Sequence, residues 1–250
     1  TTHFYYVLPV LFFEFLAISI TKSIIPQMLL DEFGGYTYLV VGLMETIKGI
    51  LAFVSCPVFG RLSDKVGRKY CLMVTVIGTT LPVVLMAFTQ NMYVFVTMLS
   101  ISGIFSATFP LTFAYIADCV DKKERAPAYG LALATFGLSF SLGPLMGSYL
   151  AVSFSATTVF LASLLLVLTD VVYIVIYLPE TLDVADNLNS APLSLFSLMS
   201  WRAKIREGLD YLPNNWNLMD TFRIFRSDAF MTNLALIVFL YYTSVWAIVS

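Results

Sequence analysis

Gly60-Arg61-Leu62-Ser63-Asp64-Lys65-Val66-Gly67-Arg68-Lys69 lies between two apolar runs, 40–59 and 70–88, each long enough to cross a bilayer. It is the densest charge cluster in the first hundred residues. A basic stretch between two spanning segments sets the side of the membrane on which it lies. It also offers charges that can latch one part of a helical bundle to another.

The rest of the chain fits a lipid solvent. Of 250 residues, 59% are hydrophobic and 12% charged, with a mean hydropathy of +0.85. A soluble domain carries about 25% charged residues, so this chain lacks the charge to cover a water-facing surface. The net charge of −2 argues against nucleic acid as a partner. Cys56, Cys71 and Cys119 show no metal-ligand spacing and read as reduced thiols. No Asn-x-Ser/Thr sequon occurs. Thr1 is not Met and Ser250 lies inside an apolar run, so both ends read as the limits of a piece rather than natural termini.

The hydropathy pattern predicts an all-α polytopic membrane protein with six spanning helices, near 4–30, 38–59, 70–89, 92–117, 127–151 and 156–178, and a seventh begun at 230–250. The first carries Glu14 and Lys22 and lacks a small-residue cleavage site, so it is not a signal peptide. Three regions, 60–69, 118–126 and 179–229, hold twelve of the 14 Lys and Arg, and the alternate loops near 31–37, 90–91 and 152–155 hold none. The positive-inside rule therefore places the N-terminus and those three regions in the cytoplasm. The expected organisation is a six-helix domain over 1–178, a linker over 179–229 and the start of a second membrane domain over 230–250. In the linker, Trp201, Ile205, Leu209 and Leu212 recur at helical spacing. That pattern suits an amphipathic helix on the inner membrane surface or an ordinary linker helix packed on the bundle.

Glu14, Lys22, Glu45, Lys48 and Asp170 lie inside the apolar runs. Each is costly in lipid unless paired or facing water. At ~1.5 Å per residue, Glu14 and Lys48 lie about 14 and 17 Å from the basic ends of their helices. Lys22 and Glu45 lie higher. Two bridges are expected, Glu14 to Lys48 and Lys22 to Glu45, with Glu45–Lys48 as an i,i+3 alternative. The four residues read either as a cavity or coupling site or as a charge-neutral clamp. Asp170 reads as a protonated, hydrogen-bonded acid.

The fifth run contains Gly143-Pro144-Leu145-Met146-Gly147. Gly143 and Gly147 form a G-x-x-x-G that admits a close helix neighbour, and Pro144 invites a bend. Cys56-Pro57-Val58-Phe59-Gly60 shares Pro-x-x-Gly with it at an offset of 87 residues. A repeat between runs of opposite direction would be inverted, in a three-plus-three arrangement. In the fourth run, Ser102, Gly103, Ser106 and Ala107 give small-x-x-x-small spacing before Pro110. Phe105, Phe109 and Phe113 recur every fourth residue there, as packing or lipid contact, or as the wall of a site for a drug- or lipid-like molecule.

Enzyme chemistry finds no footing. The single histidine is His3, and no Gly-rich phosphate loop with its lysine occurs. No metal cluster and no cofactor are expected.

The stretch at Gly60–Lys69 resembles the G-x-L-x-D-x-x-G-R-K signature of the major facilitator superfamily, matching at Gly60, Leu62, Asp64, Gly67, Arg68 and Lys69. Asp118 and Arg125 flank the next basic loop as in that family. The Gly143–Gly147 run resembles its antiporter motif. Leu178-Pro179-Glu180-Thr181-Leu182 resembles its ending of the sixth helix. Helices 1–6 and the linker together resemble the N-terminal half of the hippocampus-abundant-transcript-like, tetracycline-exporter-like branch. The resemblance implies two six-helix domains rocking about a central cavity. It implies a cytoplasmic gating latch of Asp64, Arg68, Asp118 and Arg125 that also contacts the second domain. Many proton-coupled members carry an arginine four residues before a glycine of the fourth helix. Here that position is Leu99, and 92–117 holds no Arg or Lys, which leaves Glu14 as the coupling candidate.

The function expected is secondary transport of a small organic solute by alternating access. The alternative is a transport-inactive membrane scaffold that keeps the fold. The expected partners are membrane lipids, a small-molecule substrate, the second six-helix domain and a possible larger membrane assembly.

Overall fold

A computed structural model describes residues 3–181, 232–234 and 236–240. The chain divides into two compact units, Thr1–Trp201 and Arg202–Ser250. In the second, residues 232–234 and 236–240 are helical and exposed. The expected amphipathic segment at Trp201–Leu212 and most of the linker lie outside the described residues.

Among the described residues, all regular structure is helical. After a 3-10 turn at His3–Val7, the first unit runs α1 (Leu8–Lys22), α2 (Ile25–Phe33), α3 (Thr37–Val66), α4 (Arg68–Thr89), α5 (Met92–Ile101), α6 (Thr108–Cys119), α7 (Arg125–Ser153) and α8 (Ala156–Tyr177). Among the described residues, five helical runs are long and apolar enough to cross a membrane. The first, Phe4–Val66, is 63 residues long and contains two of the expected helices, joined by the 3-10 turn Gly34–Tyr36.

Two expected helices are broken, and proline explains both. The first breaks between α1 and α2. Pro26 has no N–H, so the Lys22 carbonyl loses its i+4 donor, and Lys22 becomes the last residue of α1. The fourth breaks between α5 and α6 through a 3-10 segment at Ser102–Phe105. Pro110 leaves the Ser106 carbonyl without its helical donor. The Cys56 thiol of α3 donates to that carbonyl at 3.4 Å, and Ser55 Oγ donates to the Gly103 carbonyl at 3.3 Å. The break is thus stitched to α3.

The expected loop at 60–69 is mostly helix. α3 continues to Val66, and α4 starts at Arg68. Gly67 alone separates them, with φ +118, a conformation that favours glycine.

α1 packs most extensively on α7 and α8. Hydrophobic burial supplies little drive between helices in lipid, so small residues and hydroxyl bonds carry much of the contact. Ser163 Oγ of α8 donates to the Ala17 carbonyl at 2.7 Å, and Ser139 Oγ of α7 donates to the Phe12 carbonyl at 3.2 Å. A Cβ on Gly143 would overlap Ser19, and one on Gly147 would overlap Ile20 and Ser23. Gly60, by contrast, has open space where a Cβ would stand. The two Pro-x-x-Gly stretches therefore differ in packing role.

Two apolar clusters fill the bundle. One gathers Val7, Leu11, Leu72, Val76, Leu111, Tyr115 and Ile174. The other gathers Leu16, Ile20, Val83, Met86, Phe95 and Phe160. Between them, in sequence along α1, α4 and α8, fall Glu14, Thr79 and Asp170. The core is two apolar layers separated by a polar one.

Candidate functional site

Arg68 organises the end of the bundle that carries the charged motif. Its side chain is only 10% exposed. Nη2 pairs with Asp64 of α3 at 2.5 Å, and Nε pairs with Asp118 of α6 at 3.0 Å. Nη1 donates to Ser63 Oγ. One planar fork thus ties α3, α4 and α6 together, a geometry that arginine supplies and lysine does not. Asp118 is 29% and Asp64 57% exposed at the side chain, so Asp64 keeps an open face. Arg125 does not join the cluster. Its Nε donates to the Val120 carbonyl at 3.2 Å and its Nη2 to the Ala117 carbonyl at 2.7 Å. It covers the C-terminal carbonyls of α6, where a cation suits the helix dipole.

Glu180, not singled out as a site residue from sequence, belongs to the same end. Its carboxylate accepts the backbone N–H of Arg68 at 2.8 Å and of Lys69 at 3.2 Å. A carboxylate at a helix N-terminus answers the unpaired N–H groups and the dipole there. Lys69 Nζ returns the contact by donating to the Val175 carbonyl of α8 at 2.9 Å. Tyr115 OH donates to the Pro179 carbonyl at 3.0 Å. The sequence signal was an acid after Pro179 and a Gly-started helix, but nothing local joins positions 112 apart.

Glu14 is buried in the polar layer. Its Oε1 accepts from Thr79 of α4 at 2.8 Å and Thr108 of α6 at 3.0 Å, while Oε2 has no hydrogen-bond partner. Asp170 of α8 is buried, with both oxygens unpartnered. It is not the hydrogen-bonded acid expected from sequence. A carboxylate at this depth is costly without a cation, and among the described residues no cation pairs with either one.

Neither expected bridge forms. Glu14–Lys48 and Lys22–Glu45 are absent from the ion pairs among the described residues. The reason is helix order: α1 packs along α7, α8 and α4, whereas α3 packs on the α5–α6 segment. The Lys48 backbone lies against Gly103, where any Cβ would strike it. Lys22 stands over Phe140 instead, with Nζ 5.0 Å from the ring centroid.

Phe140 is one end of an aromatic wall. Phe15 of α1 lies 5.1 Å from Phe109 of α6 and 4.8 Å from Phe136 of α7, centroid to centroid. Phe109 lies 4.8 Å from Phe136, and Phe136 lies 4.6 Å from Phe140. Three helices contribute, and the four rings are half-buried. The four-residue period in the fourth run marked Phe109 and Phe113. Phe136 and Phe140 stand at the same four-residue spacing in the fifth run, a signal the sequence reading did not take up; Phe15 has no such partner.

Comparison with known proteins agrees with this architecture. A family model described as the Major Facilitator Superfamily matches residues 7–250. Hippocampus abundant transcript-like protein 1 of Bos taurus is 37% identical over 198 residues, covering 79% of this chain and 38% of that protein. The class C tetracycline resistance protein of Escherichia coli is 34% identical over 109 residues, covering 44% of this chain and 28% of that protein. The crystal structure of the human organic anion transporter MFSD10 (TETRAN) superposes with a TM-score of 0.62 at 22% identity, covering 72% of this chain and 48% of that one. The chain thus matches less than half the length of these relatives. It is an integral membrane protein, with a fold that corresponds to the N-terminal half of a transporter. From the family model over nearly its whole length, the chain belongs to the Major Facilitator Superfamily, a family of transporters rather than enzymes.

Proposed function

We propose that the chain is the N-terminal half of a secondary transporter that moves a small organic solute by alternating access. The observation that carries the reading is the Arg68 cluster. Arg68 is buried between Asp64 and Asp118, and Asp64 leaves an open face. A charge cluster held by three helices and open on one side is a breakable contact for a second rocking domain. In this reading 1–178 forms one six-helix domain, 179–229 the linker and 230–250 the start of the second domain. The charged end faces the cytoplasm, as the distribution of Lys and Arg indicates. Glu14 carries the coupling proton, supported by its burial, its unpartnered Oε2 and, among the described residues, no ion pair with a cation.

The test is flux in proteoliposomes of the full-length gene product. Solute exchange that is lost in Arg68→Ala, with the protein still folded and still binding solute, supports the reading. Exchange at the wild-type rate in that variant removes the latch. Binding without any flux in the wild type favours a transport-inactive scaffold.

A further inference from the structure

The aromatic wall and the charge beside it point to a class of substrate, an inference that rests on the transport reading. Phe15, Phe109, Phe136 and Phe140 present half-buried rings from three helices, and one end of the wall is occupied by Lys22. The Lys22 ammonium touches a ring face, an attraction that satisfies none of its three N–H donors. Among the described residues no carboxylate pairs with it. Lys22 therefore sets a positive charge, unpaired with any carboxylate among the described residues, next to a flat apolar surface. Lys22 is exposed, so an anionic group can reach it and form a charge-assisted hydrogen bond.

We propose that this is a binding site for a small organic anion with a flat apolar body, the body lying on the four rings and the acid group meeting Lys22. Glu14 and Thr108 directly precede Phe15 and Phe109 in the chain and hydrogen-bond to each other, so the site adjoins the buried carboxyl layer.

The test is a charge series on one ring system: naphthalene sulfonate, the neutral naphthalene sulfonamide and naphthylmethyl-trimethylammonium. Equilibrium binding is measured on the full-length protein in neutral phosphatidylcholine discs, and flux is measured in liposomes. The sulfonate is expected to bind about tenfold or more tightly than the other two. Lys22→Met is expected to remove that preference and Lys22→Arg to keep it. Phe140→Leu is expected to weaken all three ligands together. Equal binding of the three by the wild type, or preference for the cation, overturns the proposal without any variant. An unchanged preference in Lys22→Met overturns it as well. Binding that follows the series without flux keeps the site and removes the transport reading; flux of the neutral or cationic probe alone does the reverse. A repeat with anionic phosphatidylglycerol in the discs separates the sources of the acid group. Competition assigns the site to a lipid acid, and indifference assigns it to a soluble one; both support an anion site.

Discussion

The Glu180 carboxylate accepts the Arg68 backbone N–H at 2.8 Å, so the residue that follows α8 by three positions caps the start of α4. The same carboxylate occupies the space that a side chain on Gly67 would need. Glu180 and Gly67 thus form one joint, and the Arg68 fork extends from it.

Glu180→Ala is expected to cost about 1–2 kcal/mol, the loss of an N-cap with its charge. Glu180→Gln should lose less, because its side-chain oxygen still accepts. Thermal unfolding of the purified full-length protein gives the order; an alanine variant as stable as wild type would remove the capping role.

Arg68→Lys keeps the charge but replaces three contacts with one flexible point. Because Asp64 and Asp118 are partly exposed, the expected loss is about 1–2 kcal/mol rather than the larger cost of a fully buried pair. The double variant Arg68→Lys with Asp118→Asn should lose less than the sum of the two single changes. Strict additivity, measured by thermal unfolding, would mean that the two side chains do not interact.

Gly143→Ala and Gly147→Ala are expected to destabilise by about 1–3 kcal/mol each, as overpacked contacts do. Gly130→Ala and Gly137→Ala have open space and should be neutral or slightly stabilising. Detergent-resistant melting of the four variants distinguishes close α1–α7 packing from a general intolerance of change in α7.

Glu14→Gln keeps an oxygen for Thr79 and Thr108 but cannot take up and release a proton. The folded protein should persist, and solute movement driven by a pH gradient should fall at least about a hundredfold, as for loss of an essential acid–base group. Unaltered pH-driven movement would exclude coupling through Glu14.

Asp170→Val removes a buried carboxyl with two unpartnered oxygens. Relief of such a group is expected to raise stability by about 1 kcal/mol. A melting temperature that falls instead would show that Asp170 has a structural partner.

Hydropathy by itself determined that the chain is a bundle of membrane helices, because about 20 apolar residues in lipid can satisfy their backbone only as helix or closed barrel. The motif at Gly60–Lys69 named the family, and its Asp64, Arg68 and the distant Asp118 do meet. Those readings are local, or rest on one recognised pattern. Where a helix breaks was half legible: Pro26 and Pro110 stand in the sequence, but a proline in a membrane helix can also be absorbed as a bend. Depth along a helix paired Glu14 with Lys48, and it failed because depth does not say which helices are neighbours. Only the tertiary structure decided that α1 lies on α7 and α8. That placement set Glu14 against Thr79 and Thr108, Lys22 over Phe140, and Glu180 at the head of α4. Each pairing joins residues many turns apart, and its energy depends on side-chain approach within a few ångströms, which no periodicity along a single helix records.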